Sequence, residues 1–178
     1  MIALWYASRA AGMLALLLLT AGMVLGALTA GRASSQAWPR FAVAALHRNL
    51  TLLTVVFVAV HVATAVLDDY VVLRWRDVLL PFVSAYQPFW VGLGAAAFEL
   101  LVALLVTSLL RTRIRPRAWR AVHWAAYACW PVAVLHGFGI GGGDTRSGWG
   151  VAVVVGCVAA VGGAVVWRAG TRKAWAPR

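Results

Sequence analysis

Hydrophobic residues in this chain gather into long runs separated by short polar or arginine-bearing stretches. Five runs reach the roughly 20 mostly apolar residues that a helix needs to cross a hydrocarbon core. They cover 10–31, 46–67, 89–110, 121–140 and 147–167. The pattern predicts an all-α fold, an integral membrane bundle of five transmembrane helices, with 1–178 forming a single domain. The stretch after the second run, "DDYVVLRWRDVLLPFVSAYQPFW", mixes aromatic, aliphatic and polar residues and is broken by Pro81 and Pro88. It is expected to lie along the outer face, as an interfacial loop or as a cap over the end of span two.

Composition agrees with the pattern. A hydrophobic content of 63% and a mean hydropathy of +0.84 exceed those of soluble domains. A net charge of +11 would ordinarily suggest a nucleic-acid partner, but no helix-turn-helix, zinc-finger or RNA-binding signature accompanies it, and nucleic acid is excluded as a partner. The arginines instead punctuate the hydrophobic runs, where they set orientation. Arg9 alone precedes span one, whereas Arg32, Arg40 and Arg48 follow it. Arg74 and Arg76 after span two are offset by Asp68, Asp69 and Asp77; "RTRIRPRAWR" after span three holds five arginines; Arg146 follows span four, and Arg168, Arg172, Lys173 and Arg178 end the chain. Counting these charges predicts an N-terminus outside and a C-terminus inside. A cleaved signal peptide is the rival account of the first run, but its 22 uncharged residues are long for a signal core. Short-looped spans of this kind point to a multi-pass protein of a bacterial plasma membrane. Cys129 and Cys157 lie within hydrophobic runs without redox or metal spacing and read as small buried residues.

The four histidines carry the candidate chemistry. His47 and His61 bracket span two, and His123 and His136 bracket span four. At ~1.5 Å per residue the members of each pair stand ~20 Å apart along their helices, so no single ion reaches both. Under the predicted topology His47 and His123 share the inner level and His61 and His136 the outer one. Two imidazoles facing each other from neighbouring helices form the axial pair of a b-type haem, which needs no covalent attachment motif. Fourteen residues turn through ~1400°, close to whole turns, so His47 and His61 share a face; thirteen leave His136 ~140° short of the face of His123, with Pro131 between them as a source of distortion. Alternatives at this point are histidines hydrogen-bonded inside a haem-free bundle, and a proton-translocating bundle.

The histidine pair with thirteen residues between, followed two spans later by a pair with twelve between, resembles the ferric reductase-like transmembrane domain. This family includes the membrane parts of ferric reductases and NADPH oxidases and the haem-membrane subunit that supports periplasmic methionine sulfoxide reductase. The resemblance covers roughly residues 10–167. It implies that His47, His61, His123 and His136 are axial ligands to the iron of two haems b, and that electrons pass from the inner haem to the outer. Relatives usually have six helices with the ligands on the third and fifth; here they fall on the second and fourth of five. About eleven residues follow Trp167, so the flavin and nicotinamide domains of larger relatives are expected to be absent. The expected inner donor is therefore a separate flavoprotein or a quinol, with flavin or quinone entering through that partner. Ferric chelate, oxygen or a periplasmic redox protein is the outer acceptor. The other reading within the redox class is a quinol-oxidising haem anchor serving a separate enzyme.

Several residues could support such a site. Arg48 and Arg120 fall near the inner haem level, where propionates need cationic partners; membrane anchoring accounts for them equally well. Trp124 beside His123 suits interfacial aromatic packing. Glu99, near the middle of span three, is expected to face the bundle interior as a hydrogen-bonding group, a proton relay to quinone, or a partner to a histidine. Asp68, Asp69, Tyr86 and Gln87 read as a solvated rim that borders any outer acceptor site. "GFGIGG", residues 137–142, fits G-x-G-x-x-G, but it follows a membrane helix rather than a strand and reads as a flexible turn.

Overall fold

The computed structural model describes residues 2–31, 33, 35 and 38–174, and among them every regular element is helical. Arg32 and Arg178, both used in the charge count, lie outside the described residues, as do the side chains of Arg172 and Lys173. The elements in chain order are α1 (Ile2–Ala30), α2 (Arg40–Leu67), α3 (Trp75–Leu79), α4 (Pro88–Leu109), α5 (Pro116–His123), α6 (Ala126–Ile140), α7 (Gly142–Arg146) and α8 (Gly148–Ala174). Among the described residues, α1, α2, α4 and α8 are long and apolar enough to cross a membrane. The chain is a multi-pass membrane protein.

The run expected as one span over 121–140 is two helices. α5 ends at His123 and α6 begins at Ala126. At the break, three bonds close in the tighter i→i−3 pattern: Ala125 N–H to Val122, Tyr127 to Trp124 and Ala128 to Ala125, at 2.8–3.0 Å. Three residues wound at ~120° rather than ~100° recover about 60° of the ~140° phase shortfall. Pro131, the sequence's marked breaker, sits inside an uninterrupted α6. Phase is therefore adjusted at Trp124–Ala125.

α1 is the hub. It packs on α2 most extensively and also on α6 and α8, while α4 packs on α6. Leu16 of α1, Trp130 and Val134 of α6, and Cys157 and Val161 of α8 form one buried cluster; Leu101, Leu104 and Cys129 form another between α4 and α6. Both cysteines are buried and unpaired, as expected. One polar cross-link runs through the first cluster: Trp130 donates its indole N–H to the Thr20 hydroxyl at 3.0 Å, and that hydroxyl donates to the Leu16 carbonyl at 2.8 Å. Buried donors in an apolar interior need such partners.

The two ends of the bundle differ in charge. At one end lie all four aspartates, with Arg9, Arg74, Arg76 and Arg146; among the described residues, Arg40, Arg48, the five arginines from Arg111 to Arg120, and Arg168 fall at the other. At the acidic end Arg9 pairs with Asp144 at 2.7 Å and sits over the Trp5 ring. At the arginine-rich end Arg168 of α8 bonds the Tyr127 hydroxyl and lies 5.1 Å from the centroid of Trp124. Segment 68–87 folds across the acidic end. Its short helix α3 carries a capping box in which the Asp77 carboxylate accepts from the Arg74 backbone N–H at 3.0 Å, and Phe82 packs against Gly92 of α4.

Candidate functional site

His61 and His136 converge. Their ring centroids are 6.2 Å apart and their planes are inclined at 74°. Each ring is half-buried and held from behind by another helix. His61 Nδ1 donates to the Ser8 carbonyl of α1 at 2.7 Å, with the Ser8 hydroxyl a further 3.2 Å neighbour. His136 Nδ1 donates to the Trp90 carbonyl of α4 at 2.8 Å. Because a carbonyl only accepts, each Nδ1 carries the proton and each Nε2 keeps a free lone pair.

The other pair lies four helical turns away, at the arginine-rich end. His47 Nδ1 donates to the Gly22 carbonyl of α1 at 2.9 Å. His123 is within electrostatic reach of His47 and stacks on Trp119, with centroids 4.7 Å apart and planes 22° from parallel. Its Nδ1 is buried and has no hydrogen-bond partner among the described residues. All four predicted histidines thus fall in two groups at two depths, but only three are anchored through Nδ1.

A cavity of about 650 Å³ contains His61 and His136 and extends between α1, α2, α4 and α6. That volume is in the range of pockets for drug-sized ligands. Its walls are mainly apolar, with Leu16, Phe98 and Cys129 among them, and Asp68, Asp77 and Tyr86 of the segment over the acidic end also line it. This segment therefore acts as the cap that the sequence offered as one of two options. Among the described residues, no group of three or more histidine, cysteine, aspartate or glutamate side chains gathers as a metal site by itself.

The other candidates divide. Arg48 and Arg120 are exposed, and among the described residues neither side chain makes a hydrogen bond or ion pair. Trp124 stacks obliquely on Tyr127 with centroids 5.1 Å apart, in keeping with aromatic packing. Asp68 departs from a solvated rim: it is 7% exposed and accepts from the Tyr70 backbone N–H, whereas Asp69, Tyr86 and Gln87 are exposed. Glu99 also departs from expectation. It is exposed on α4, facing out of the bundle, and five residues of helix set it ~140° around from Gly94, which contacts His136. The "GFGIGG" run is not a loop through most of its length: residues 137–140 end α6, Gly139 packs on Trp90, and only Gly142, with φ +59°, makes the turn.

The chain matches the ferric reductase-like transmembrane component family over residues 11–134, which takes in α1 through most of α6. It belongs to that family. No curated protein and no solved structure matches it. Ferric reductase-like domains generally bind haem and work with redox partners, and membership points to electron transfer across a membrane. For this ferric reductase-like chain, sequence reasoning found the four imidazoles but missed what holds them: Ser8, Gly12, Gly22 and Gly26 on α1, and Trp90 and Gly94 on α4. A signal was present, since Gly12 and Gly26 are separated by the same fourteen residues as His47 and His61.

Proposed function

We propose that this chain is the haem-carrying membrane component of an electron-transfer system and holds two b-type haems. His61 and His136 would hold one of them, and His47 and His123 the other. The observation that carries this reading is the first pair. The ring centroids are 6.2 Å apart and both Nδ1 protons are engaged elsewhere, which would leave both Nε2 lone pairs for one shared metal ion. The apolar cavity around the pair suits a macrocycle, and the segment capping it limits access of water.

Such groups would supply reversible one-electron chemistry in each half of the bilayer, with potentials tuned by ligation, burial and hydrogen bonding. The chain's own contribution is to aim the imidazoles, fix their tautomers and keep the surroundings dry. Arg48 and Arg120, exposed and uncommitted at the arginine-rich end, are suited to the carboxylates of the group held by His47 and His123. α5 and α6 together make the fourth of five crossings, and the charge asymmetry orients the arginine-rich end inward. Electrons pass from a separate inner donor, a flavoprotein or quinol, to an outer acceptor such as ferric chelate, oxygen or a periplasmic redox protein, across a bacterial plasma membrane. The outward position of Glu99 gives no support to a quinone site built on that carboxylate beside the cavity.

The test is a reduced-minus-oxidised absorption spectrum of the purified chain, with a haem-to-chain ratio from pyridine extraction. Two b-type haems per chain are expected, falling to one in His61→Ala or His136→Ala. A colourless protein after expression with ample haem would overturn the reading.

A further inference from the structure

Three of the four histidines are held by one repeated device. The His61 Nδ1 bonds the carbonyl of Ser8, and its ring lies on Gly12; the His47 Nδ1 bonds the carbonyl of Gly22, and its ring lies on Gly26; the His136 Nδ1 bonds the carbonyl of Trp90, and its ring lies on Gly94. In each case the acceptor is residue n of a neighbouring helix and the glycine is residue n+4. An α-helix explains the spacing, because the carbonyl of n already accepts from the N–H of n+4, and a side chain at n+4 flanks that oxygen. With no Cβ there, the imidazole can lie against the helix and share the carbonyl's second lone pair. A Cβ on Gly94 would meet His136 Cε1 at 2.6 Å and Nδ1 at 2.7 Å; on Gly12 it would meet His61 Nδ1 at 2.8 Å; on Gly26 it would meet His47 Cε1 at 3.3 Å.

The fourth histidine lacks this device. α4 runs antiparallel to α6, so the notch for His123 would fall thirteen or fourteen residues beyond Gly94, where the chain has Thr107 and Ser108. His123 Nδ1 is accordingly buried without an acceptor.

We infer that Gly12, Gly26 and Gly94 are positioning residues that fix the Nδ1 proton and aim Nε2 of their histidines, which leaves the two sites unequal: the His61–His136 site has two anchored ligands and the His47–His123 site one. A ligating imidazole whose other nitrogen donates to a carbonyl is a stronger base, which favours the oxidised metal. Loosening that bond raises the midpoint potential of the affected site. This inference rests on the two-haem reading above.

The experiment is a graded set of single alanine variants of the full chain: G94A, G12A and G26A, with G156A as control. A Cβ on Gly156 meets nothing within 4 Å. Haem per chain, a potentiometric titration and the low-temperature EPR spectrum are measured on each. G94A and G12A are expected to lower the haem ratio from two toward one, with the remaining haem unshifted. G26A, whose clash is mildest, keeps both haems and raises the midpoint of one alone, with altered g-values for that haem. G156A matches the wild type. Two haems with unshifted midpoints and g-values in G26A would overturn the inference, even if G94A and G12A failed to fold, and would leave the two-haem reading intact; a wild-type chain without haem would remove both.

Discussion

Thr20 and Trp130 make a buried hydrogen bond between the hub helix α1 and α6, and Thr20→Val removes the acceptor while keeping the side-chain shape. The indole N–H then loses its 3.0 Å partner at a site where Thr20 is 7% and Trp130 8% exposed. Leaving a buried donor unsatisfied costs roughly 1–3 kcal/mol in soluble proteins. Interhelical side-chain bonds in membrane proteins average about 0.6 and reach about 1.7 kcal/mol, because the unfolded chain in lipid also finds partners. The second scale applies here, and the expected coupling is about 1 kcal/mol, roughly a fivefold change in the folded-to-unfolded ratio. A double-mutant cycle isolates it: wild type, Thr20→Val, Trp130→Phe and the pair, unfolded with SDS in mixed micelles and followed by far-UV circular dichroism. Because Thr20 lies between Gly12 and Gly26 on α1, loosening this link is also expected to weaken haem retention in Thr20→Val. Additive effects of the two substitutions, with no coupling, would refute the assignment of this bond as a polar clamp between α1 and α6.

Other expectations are briefer. Ser8→Ala should keep both haems, because the nearer acceptor for His61 is the main-chain carbonyl at 2.7 Å rather than the hydroxyl at 3.2 Å; loss of a haem in this variant would show the hydroxyl to be essential. Glu99→Leu should stabilise the chain by up to about 3 kcal/mol if lipid is what Glu99 meets, by the insertion cost of a charged residue at mid-span, and a destabilised variant in the SDS assay would mean that this face has a polar partner. Asp144→Asn should cost no more than about 1 kcal/mol, since its pair with Arg9 is partly exposed on both sides. With an impermeant maleimide on intact cells, Tyr70→Cys should label and Arg115→Cys should label only after permeabilisation; the reverse pattern would invert the orientation.

Much of this architecture was readable because membrane crossing demands length. Four expected runs returned as helices: 89–110 as Pro88–Leu109, and the other three matching at one end while extending six to eight residues further at the other. The break in the remaining run was not readable, because "AVHWAAYACW" contains no glycine or proline and its apolar content is continuous. Pro131, which does carry a breaking signal, fits within α6 where a packed helix tolerates it. Glu99 misled for a related reason: α4 is apolar almost all round, so no stripe marks its inner face. The histidines stood out as rare polar residues at matched depths. Their supports did not, since a main-chain carbonyl has no signature of its own and a glycine in a membrane helix is common.

The packing of α1 on α2 has a consequence for how the protein is made. Residues 2–67 leave the ribosome as a hairpin whose two imidazoles find both of their acceptors inside that same hairpin. Residues 88–140 bring a second hairpin, in which α4 orients the ring of His136 for α6. Chains are synthesised N-terminus first and their units fold in that order. Assembly then amounts to closing two prefabricated leaves, with three of the four imidazoles set before they meet, and the last-made helix, α8, braces α1 from outside once the leaves are together.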